Sequence, residues 1–71
     1  MSLSFEAAFE AEFAPLYRYL RRRVGATTAE DLSAATFAIA YAKWERFDQT
    51  RPLRPWVYGI AANLVRHHRR G

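Results

Sequence analysis

The sequence contains no cysteine, and only three glycines and three prolines occur among its 71 residues. Without cysteine the chain forms neither disulfides nor thiolate metal sites, which excludes the small secreted proteins that disulfides stabilise. No apolar run approaches the roughly 20 residues that span a bilayer, and the N-terminus carries acids where a signal peptide carries bases. We therefore expect a cytoplasmic protein. The scarcity of glycine and proline favours helices, and a hydrophobic fraction of 51% is too high for a disordered tail.

One sign of charge is missing from each end of the chain. Residues 1–17 contain three acids and no base, whereas residues 51–71 contain five arginines and no acid. Ten of the eleven basic residues are arginines, whose planar guanidinium groups can bind a phosphate through two hydrogen bonds. The C-terminal segment therefore indicates a surface for a polyanion. Arg69 and Arg70 are also consistent with cations that stabilise the negative end of a helix dipole.

The hydrophobic pattern predicts a first helix from about Ser4 to Val24. Its apolar residues recur at spacings of three and four: Phe5, Phe9, Phe13, Leu16, Leu20 and Val24. Pro15 falls inside this stretch and should kink the helix, but the apolar stripe stays in phase across it. We therefore predict one kinked helix that ends at Gly25. The acids on it are expected to form a solvated face: Glu6, Glu10 and Glu12.

The second predicted helix opens on Thr27-Thr28-Ala29-Glu30, a capping-box pattern, and continues to about residue 44 or 45. One apolar stripe on it consists of Phe37, Ala40, Tyr41 and Trp44. Apolar or small residues also occupy its other faces: Leu32, Ala34, Ala35, Ala38 and Ile39. Alanine is the best helix former and is tolerated on surfaces, but this does not account for Leu32 or Ile39. Because so small a domain cannot bury a helix on all sides, we predict that part of this helix contacts a partner.

A loop over residues 47–51 leads to a third predicted helix, which begins near Pro52 and runs to about Arg69. Pro52 and Pro55 fit its first turn, where backbone N–H groups lack helical partners. Its core stripe is Val57, Ile60, Ala61 and Leu64. A neighbouring polar stripe is Gly59, Asn63, Arg66 and Arg70. The whole sequence therefore predicts a single all-α domain of three helices over residues 1–71.

Motifs for catalysis and metal binding are missing from the sequence. The three glycines are isolated, so they form no phosphate-binding loop, and no serine has a neighbouring histidine or acid that would indicate a nucleophile. His67 and His68 are adjacent on a helix and point about 100° apart, so they cannot share a metal ion. We expect His68 to face the core. We expect no enzyme activity, no cofactor and no metal.

Aromatic residues and arginines are interleaved over residues 44–63. The aromatic residues are Trp44, Phe47, Trp56 and Tyr58, and the arginines among them are Arg46, Arg51 and Arg54. This combination is typical of single-stranded DNA binding, because bases stack on aromatic rings while guanidinium groups pair with phosphates. Asn63 could hydrogen-bond the edge of a base. Trp44 and Phe47 also fit the core, whereas Trp56 fits either role.

The chain carries a set of short motifs that can be compared with known families. They are Ala29-Glu30-Asp31-Leu32, Thr36-Phe37, Arg46-Phe47-Asp48, the block Arg51-Pro52-Leu53-Arg54-Pro55-Trp56-Val57-Tyr58-Gly59-Ile60-Ala61, and Asn63-Leu64. Together they resemble region 2 of bacterial sigma factors, specifically the extracytoplasmic-function (ECF) group. The block that starts at Arg51 is highly specific. The stretch from Phe5 to Arg23 looks like the first helix of that group, so the resemblance covers almost the whole chain.

The resemblance implies a helical domain of a transcription initiation factor with two binding functions. The second helix would bind the clamp helices of the largest subunit of the RNA polymerase core. The residues that match this surface are Asp31, Ala34, Ala35 and Ala38. The following loop and the third helix would capture an unpaired base of the minus-ten promoter element and hold the melted single strand. The residues that match this second surface are Arg46, Asp48, Arg51, Arg54, Trp56, Tyr58, Asn63 and Arg66.

Two departures from the family pattern bear on these functions. Ala34-Ala35 stand where a polar Gln-Glu pair is usual, which indicates a weaker or more apolar contact with the clamp. Ala62 stands where an arginine is frequent, which removes a phosphate contact. The apolar second helix leaves an alternative open, namely a helical interaction module that self-associates or binds an anti-sigma protein. A membrane-surface binder is disfavoured, because the third helix uses its apolar stripe for the core. An ECF factor also has a second helical domain for the minus-thirty-five element, so we expect either a piece of such a factor or a stand-alone region 2.

Overall fold

The three predicted helices are all present in the computed structural model, which describes the backbone of residues 2–70 and the side chains of residues 2–69. In chain order the elements are α1 (Phe5–Val24), α2 (Ala26–Ala42), a short 3-10 turn (Trp44–Arg46) and α3 (Leu53–Arg70). The prediction of an all-α, three-helix fold is confirmed. Over the described residues, no helix combines the length and apolarity needed to cross a membrane. The predicted place of Arg70 on the polar stripe of α3 lies outside the described side chains.

α1 continues without a break through Pro15, as the in-phase apolar stripe predicts. Its first turn is capped by Ser4, whose Oγ accepts a hydrogen bond from the backbone N–H of Ala7 at 3.1 Å. The helix is followed by Gly25, whose φ of +86° lies in the region that favours glycine. The N–H of Gly25 donates to the carbonyl oxygen of Arg21 at 3.0 Å. A single residue therefore both ends α1 and turns the chain.

α2 begins directly after that glycine, and the predicted capping box is wrong. The helix starts at Ala26 rather than at the threonines, and none of the described side chains caps it. Because Gly25 turns the chain in one residue, its carbonyl oxygen already accepts a hydrogen bond from the N–H of Ala29 at 2.9 Å. Thr27 and Thr28 consequently lie inside the first turn, where a hydroxyl cannot act as an N-cap.

The core lies where the three helices meet. Its buried residues are Leu16, Leu20, Ala29, Phe37, Val57, Ala61 and Val65. Among the described side chains of α3 the last buried one is Val65, whereas Ile60 and Leu64, predicted in the core stripe, are half-buried. The expectation that His68 faces the core is wrong, because His68 is exposed. Residues 66–69 are all exposed, which indicates that the last described turn of α3 extends beyond the core.

α1 is rotated relative to the predicted stripe. Its buried residues repeat every four positions: Ala8, Glu12, Leu16 and Leu20. Glu12, predicted on a solvated face, is only 7% exposed, whereas Phe9 and Phe13, predicted in the buried stripe, are 39% and 37% exposed. The two phenylalanines pack at the edge of the α1–α2 contact, with ring centroids 4.9 and 5.8 Å from that of Phe37. This rotation turns the carboxylate of Glu12 towards α3.

Candidate nucleic-acid interface

The loop between α2 and α3 is organised by the side chain of Asp48. Its Oδ1 accepts hydrogen bonds from the backbone N–H and the hydroxyl of Thr50, at 3.0 and 2.6 Å. Its carbonyl oxygen accepts a third from the N–H of Arg51 at 3.0 Å, so the loop forms a locally closed turn. The bond from the Thr50 hydroxyl, followed by the bond from its N–H, lowers the pKa of Asp48. Arg51 Nε also lies 3.6 Å from Asp48 Oδ2, but both side chains are exposed, so this ion pair is weak.

Three aromatic rings pack at the base of this loop. Phe47 is buried and stacks on Trp56, with ring centroids 4.7 Å apart and ring planes inclined by 26°. Trp44 contacts both rings, at 5.4 Å from Phe47 and 6.0 Å from Trp56. Trp56, which the sequence allowed in either role, is half-buried: it packs on Phe47 and also lines a surface pocket.

That pocket has a volume of about 640 Å³. Four of the predicted DNA-binding residues line it: Arg46, Asp48, Arg51 and Trp56. The other lining residues are Phe47, Pro52 and Pro55. The volume lies within the range of small-molecule sites, roughly 300–1,000 Å³. The pocket therefore joins an aromatic surface, two guanidinium groups and a carboxylate, a combination that can stack, pair with phosphate and accept a hydrogen bond.

Arg54, also predicted to bind DNA, forms an ion pair with α1. Its Nε donates to Oε1 of Glu12 at 2.8 Å, and its Nη2 donates to Oε2 of Glu12 at 3.3 Å. The hydrogen bond to Glu12 raises the pKa of Arg54. The Glu12 side chain is 10% exposed and the Arg54 side chain 59%, so much of the guanidinium still faces solvent. The sequence analysis missed this pair, although Glu12 lies in the same four-residue repeat as Leu16 and Leu20.

The remaining predicted DNA-binding residues lie along α3, outside the pocket. The Tyr58 ring packs against Tyr19 of α1, with centroids 4.9 Å apart. Asn63 and Arg66 are exposed, and the Arg66 guanidinium donates a hydrogen bond to the Asn63 amide oxygen. The structure therefore brings half of the predicted residues together in the pocket and distributes the others along α3.

Among the described residues, no three histidine, cysteine or acidic side chains lie close enough together to form a metal site.

A contact that the sequence analysis missed ties the loop to the segment before α1. Oε1 of Gln49 accepts a hydrogen bond from the backbone N–H of Leu3 at 2.7 Å, and Nε2 of Gln49 donates to the carbonyl oxygen of Leu3 at 3.0 Å. The two residues are 46 positions apart, and no local sequence pattern indicates such a pairing. The pocket loop is therefore held both by its own turn and by the N-terminal segment.

A second surface is formed by α2 and the edge of α1. Its predicted polymerase-binding residues are Asp31, Ala34 and Ala38, which are exposed, and Ala35, which is half-buried. Tyr41, which belongs to the predicted apolar stripe of α2, is 67% exposed and lies seven residues after Ala34 on the same side of the helix. Its ring contacts Phe5 edge-on at 5.1 Å. We call the exposed rings Phe9, Phe13 and Tyr41 the aromatic edge.

Comparison with known proteins assigns the family. Searches among curated proteins and among solved structures found no match. The family model described as Sigma-70 region 2 matches residues 8–71, a range that includes nearly all of α1, the whole of α2, the pocket loop and α3. The resemblance to region 2 is confirmed, and the chain belongs to the Sigma-70 region 2 family.

Proposed function

We propose that this domain holds one unpaired base of the minus-ten promoter element in the pocket, while the exposed side of α2 binds the clamp helices of the RNA polymerase core. Membership of the Sigma-70 region 2 family implies polymerase binding and minus-ten recognition in general. We include three finer points in the proposal. DNA and polymerase bind to separate surfaces of the domain, the domain belongs to the ECF group, and it acts in the cytoplasm. The proposed role requires no catalysis and no cofactor.

The observation that carries the DNA half of the proposal is the composition of the pocket. Trp56 offers a ring on which a base can stack, and Arg46 and Arg51 offer guanidinium groups for the neighbouring phosphates. The pKa of Asp48 is lowered from an ordinary value that already lies well below neutral pH, so its carboxylate is ionised there. An ionised carboxylate accepts a hydrogen bond from the exocyclic amino group of cytosine or adenine, which thymine lacks.

Fluorescence titration with a short single-stranded minus-ten oligonucleotide tests this half directly, because Trp56 lines the pocket and the second tryptophan, Trp44, packs against it. We expect binding at low salt that weakens as salt increases. Arg51→Ala should lower the affinity and reduce the slope of log K against log salt by about 0.7, the value for one lost phosphate contact. The matched control is Arg21→Ala, which removes the same charge from α1 and should leave binding of the short oligonucleotide unchanged. A folded protein that does not bind at low salt would refute the DNA half.

The polymerase half is supported by the exposure of Asp31, Ala34 and Ala38 on one side of α2. Ala34→Arg places a long charged side chain on this surface without disturbing the core, so capture of the core polymerase should be lost. Ala11→Arg is the matched control, because Ala11 is an exposed alanine on α1. Asp31→Ala should weaken capture to a smaller extent, since it removes one carboxylate. Equal capture by the Ala34→Arg and Ala11→Arg variants would contradict this assignment.

The aromatic edge supports a second candidate function, a helical module that self-associates or binds an anti-sigma protein through α2. Contiguous exposed apolar side chains on a small domain are typical of protein interfaces. Sedimentation over a range of concentrations separates the two candidates. A tight dimer that Tyr41→Ser dissociates would favour the interaction module, whereas a monomer that still captures the core polymerase would favour the sigma function.

A further inference from the structure

A second basic surface lies on the C-terminal half of α1, and the proposed function does not use it. A groove of about 330 Å³ is lined by Pro15, Arg18, Tyr19, Arg22 and Arg23. We call it the arginine groove. Within the described part of the chain, none of its arginines forms an ion pair.

The positions of these arginines indicate a ligand rather than a purely structural role. Arg18 and Arg22 are four residues apart on one side of α1, where like charges destabilise a helix. The helix dipole accounts for cations in the last turn of α1, but not for Arg18, which lies before that turn. The guanidinium of Arg23 lies 4.3 Å above the ring of Tyr19, a cation–π contact that orients this charge at the edge of the groove.

The arginine groove adjoins α3 through one of its lining residues. Tyr19, which lines the groove, packs against Tyr58 at 4.9 Å. Tyr58 follows Arg54 by four residues, about 6 Å along the helix. Arg54 is bound to Glu12 of α1 and directly precedes Pro55, which lines the pocket. Arg54, Tyr58 and Tyr19 therefore mark a line from the first turn of α3, which also carries Pro55 of the pocket, to the groove, and the charge of Arg54 on this line is paired with Glu12.

We propose that the arginine groove binds the phosphate backbone of the same DNA strand that enters the pocket, beyond the captured base. The inference rests on the proposed function and extends its site from α3 to α1. Guanidinium groups form charge-assisted hydrogen bonds with phosphate oxygens. The Tyr19 ring, which packs on Tyr58, holds the Arg23 guanidinium beside that path. A nucleic-acid backbone supplies the repeated negative charges that three clustered arginines require.

The test compares a short minus-ten oligonucleotide with the same oligonucleotide extended on both sides. The variant is Arg18→Ala/Arg22→Ala, and the control is Arg21→Ala, which removes an arginine of the same helix that does not line the groove. We expect the extended oligonucleotide to bind about tenfold more weakly to the double variant, with a salt slope reduced by about 1.4 for two lost phosphate contacts. Binding of the short oligonucleotide should not change.

The outcomes separate this inference from the proposed function. If the wild-type protein does not bind the short oligonucleotide but the double variant still loses affinity for the extended one, the pocket proposal fails, whereas phosphate binding by the groove stands. The groove proposal is overturned if the double variant binds the extended oligonucleotide with unchanged affinity and salt slope. It is also overturned if Arg21→Ala reduces log K and the salt slope by half as much as the double variant does, because the effect would then follow only the number of charges removed. Circular dichroism checks folding, which these exposed substitutions should leave intact.

Discussion

Arg54 Nε lies 2.8 Å from Oε1 of Glu12, and this pair joins the first turn of α3 to the middle of α1. The Glu12 side chain is almost buried, whereas most of the Arg54 side chain is in water. Arg54 therefore has two possible roles: it neutralises a carboxylate at the α1–α3 contact, and its solvent-facing edge remains available to a phosphate. Loss of DNA binding on substitution of Arg54 could arise from either role, so stability must be measured alongside affinity.

Removing Arg54 should destabilise the domain more than removing the whole pair. Arg54→Ala leaves the Glu12 carboxylate without its partner in a nearly dry environment, and an unsatisfied buried polar group costs about 1–3 kcal/mol. The double variant Glu12→Ala/Arg54→Ala contains no such carboxylate, so its free energy of unfolding should exceed that of Arg54→Ala. Urea unfolding followed by circular dichroism measures both. Equal stability of the two variants would show that the Glu12 carboxylate is solvated in the absence of Arg54.

This pair also shows why the buried side of α1 could not be predicted from the sequence, although the extent of the helix could. The spacing of Leu16 and Leu20 and the position of Gly25 were sufficient to predict the extent of the helix, because local periodicity and backbone preference determine both. Two rows of residues run side by side along α1, one through Phe9 and Phe13 and one through Ala8 and Glu12. Which of them faces the core depends on the helix that packs against α1. The row with Phe9 looked more hydrophobic than the row with Glu12, but the partner of Glu12 lies 42 positions away in sequence.

For the candidate site, the residues that line the pocket were predictable from the sequence, whereas the contacts that hold the loop in place were not. Interleaved aromatic residues and arginines identified the lining of the pocket, because the residue types that stack and pair with phosphate are few. The links between loop, N-terminus and α1 were not predictable. The two hydrogen bonds between Gln49 and Leu3 and the packing of Tyr58 on Tyr19 join distant parts of the chain. Such contacts depend on the relative placement of helices, which no local pattern encodes.

The turn around Asp48 should depend on pH and on the hydroxyl of Thr50. Because folding lowers the pKa of Asp48 below its ordinary 3.8, the stability it contributes is present above pH ~4 and is lost as pH falls through the folded-state pKa. Thr50→Val removes the largest cause of the shift, so the pKa of Asp48 should move back towards 3.8. Thr50→Ser keeps the hydroxyl and should keep the lowered pKa. Carboxyl chemical shifts in an NMR titration measure each value, and identical curves for the two variants would contradict the assigned cause.

Two buried hydroxyl groups on α2 should respond in opposite directions to substitution. Ser33 is completely buried and its Oγ has no hydrogen-bond partner among the described residues, whereas the hydroxyl of Thr36 donates to the carbonyl oxygen of Leu32 at 2.7 Å. Ser33→Ala removes an unsatisfied polar group and introduces a better helix former, so it should stabilise the domain by about 1 kcal/mol. Thr36→Val removes a satisfied hydrogen bond at nearly constant volume and should destabilise by about 0.5–1.5 kcal/mol. Thermal unfolding of both variants tests the contrast, and a destabilised Ser33→Ala variant would indicate that the hydroxyl is satisfied in solution.

The two described glycines offer a comparison in which backbone conformation alone should decide the result. Apart from its own chain neighbours and helix backbone, a Cβ atom added at either Gly25 or Gly59 would meet no atom of the described residues within 4 Å, so packing opposes neither substitution. Gly59 lies within α3, where alanine is favoured over glycine by about 0.5–1 kcal/mol, so Gly59→Ala should raise the melting temperature by about 2–8 °C. Gly25 has a φ of +86° and a ψ of 168°, a conformation that costs other residues about 1–3 kcal/mol. Gly25→Ala should therefore lower the melting temperature by at least as much. If both substitutions stabilised the domain, Gly25 would not hold its positive φ in solution, and the single-residue connection between α1 and α2 would be wrong.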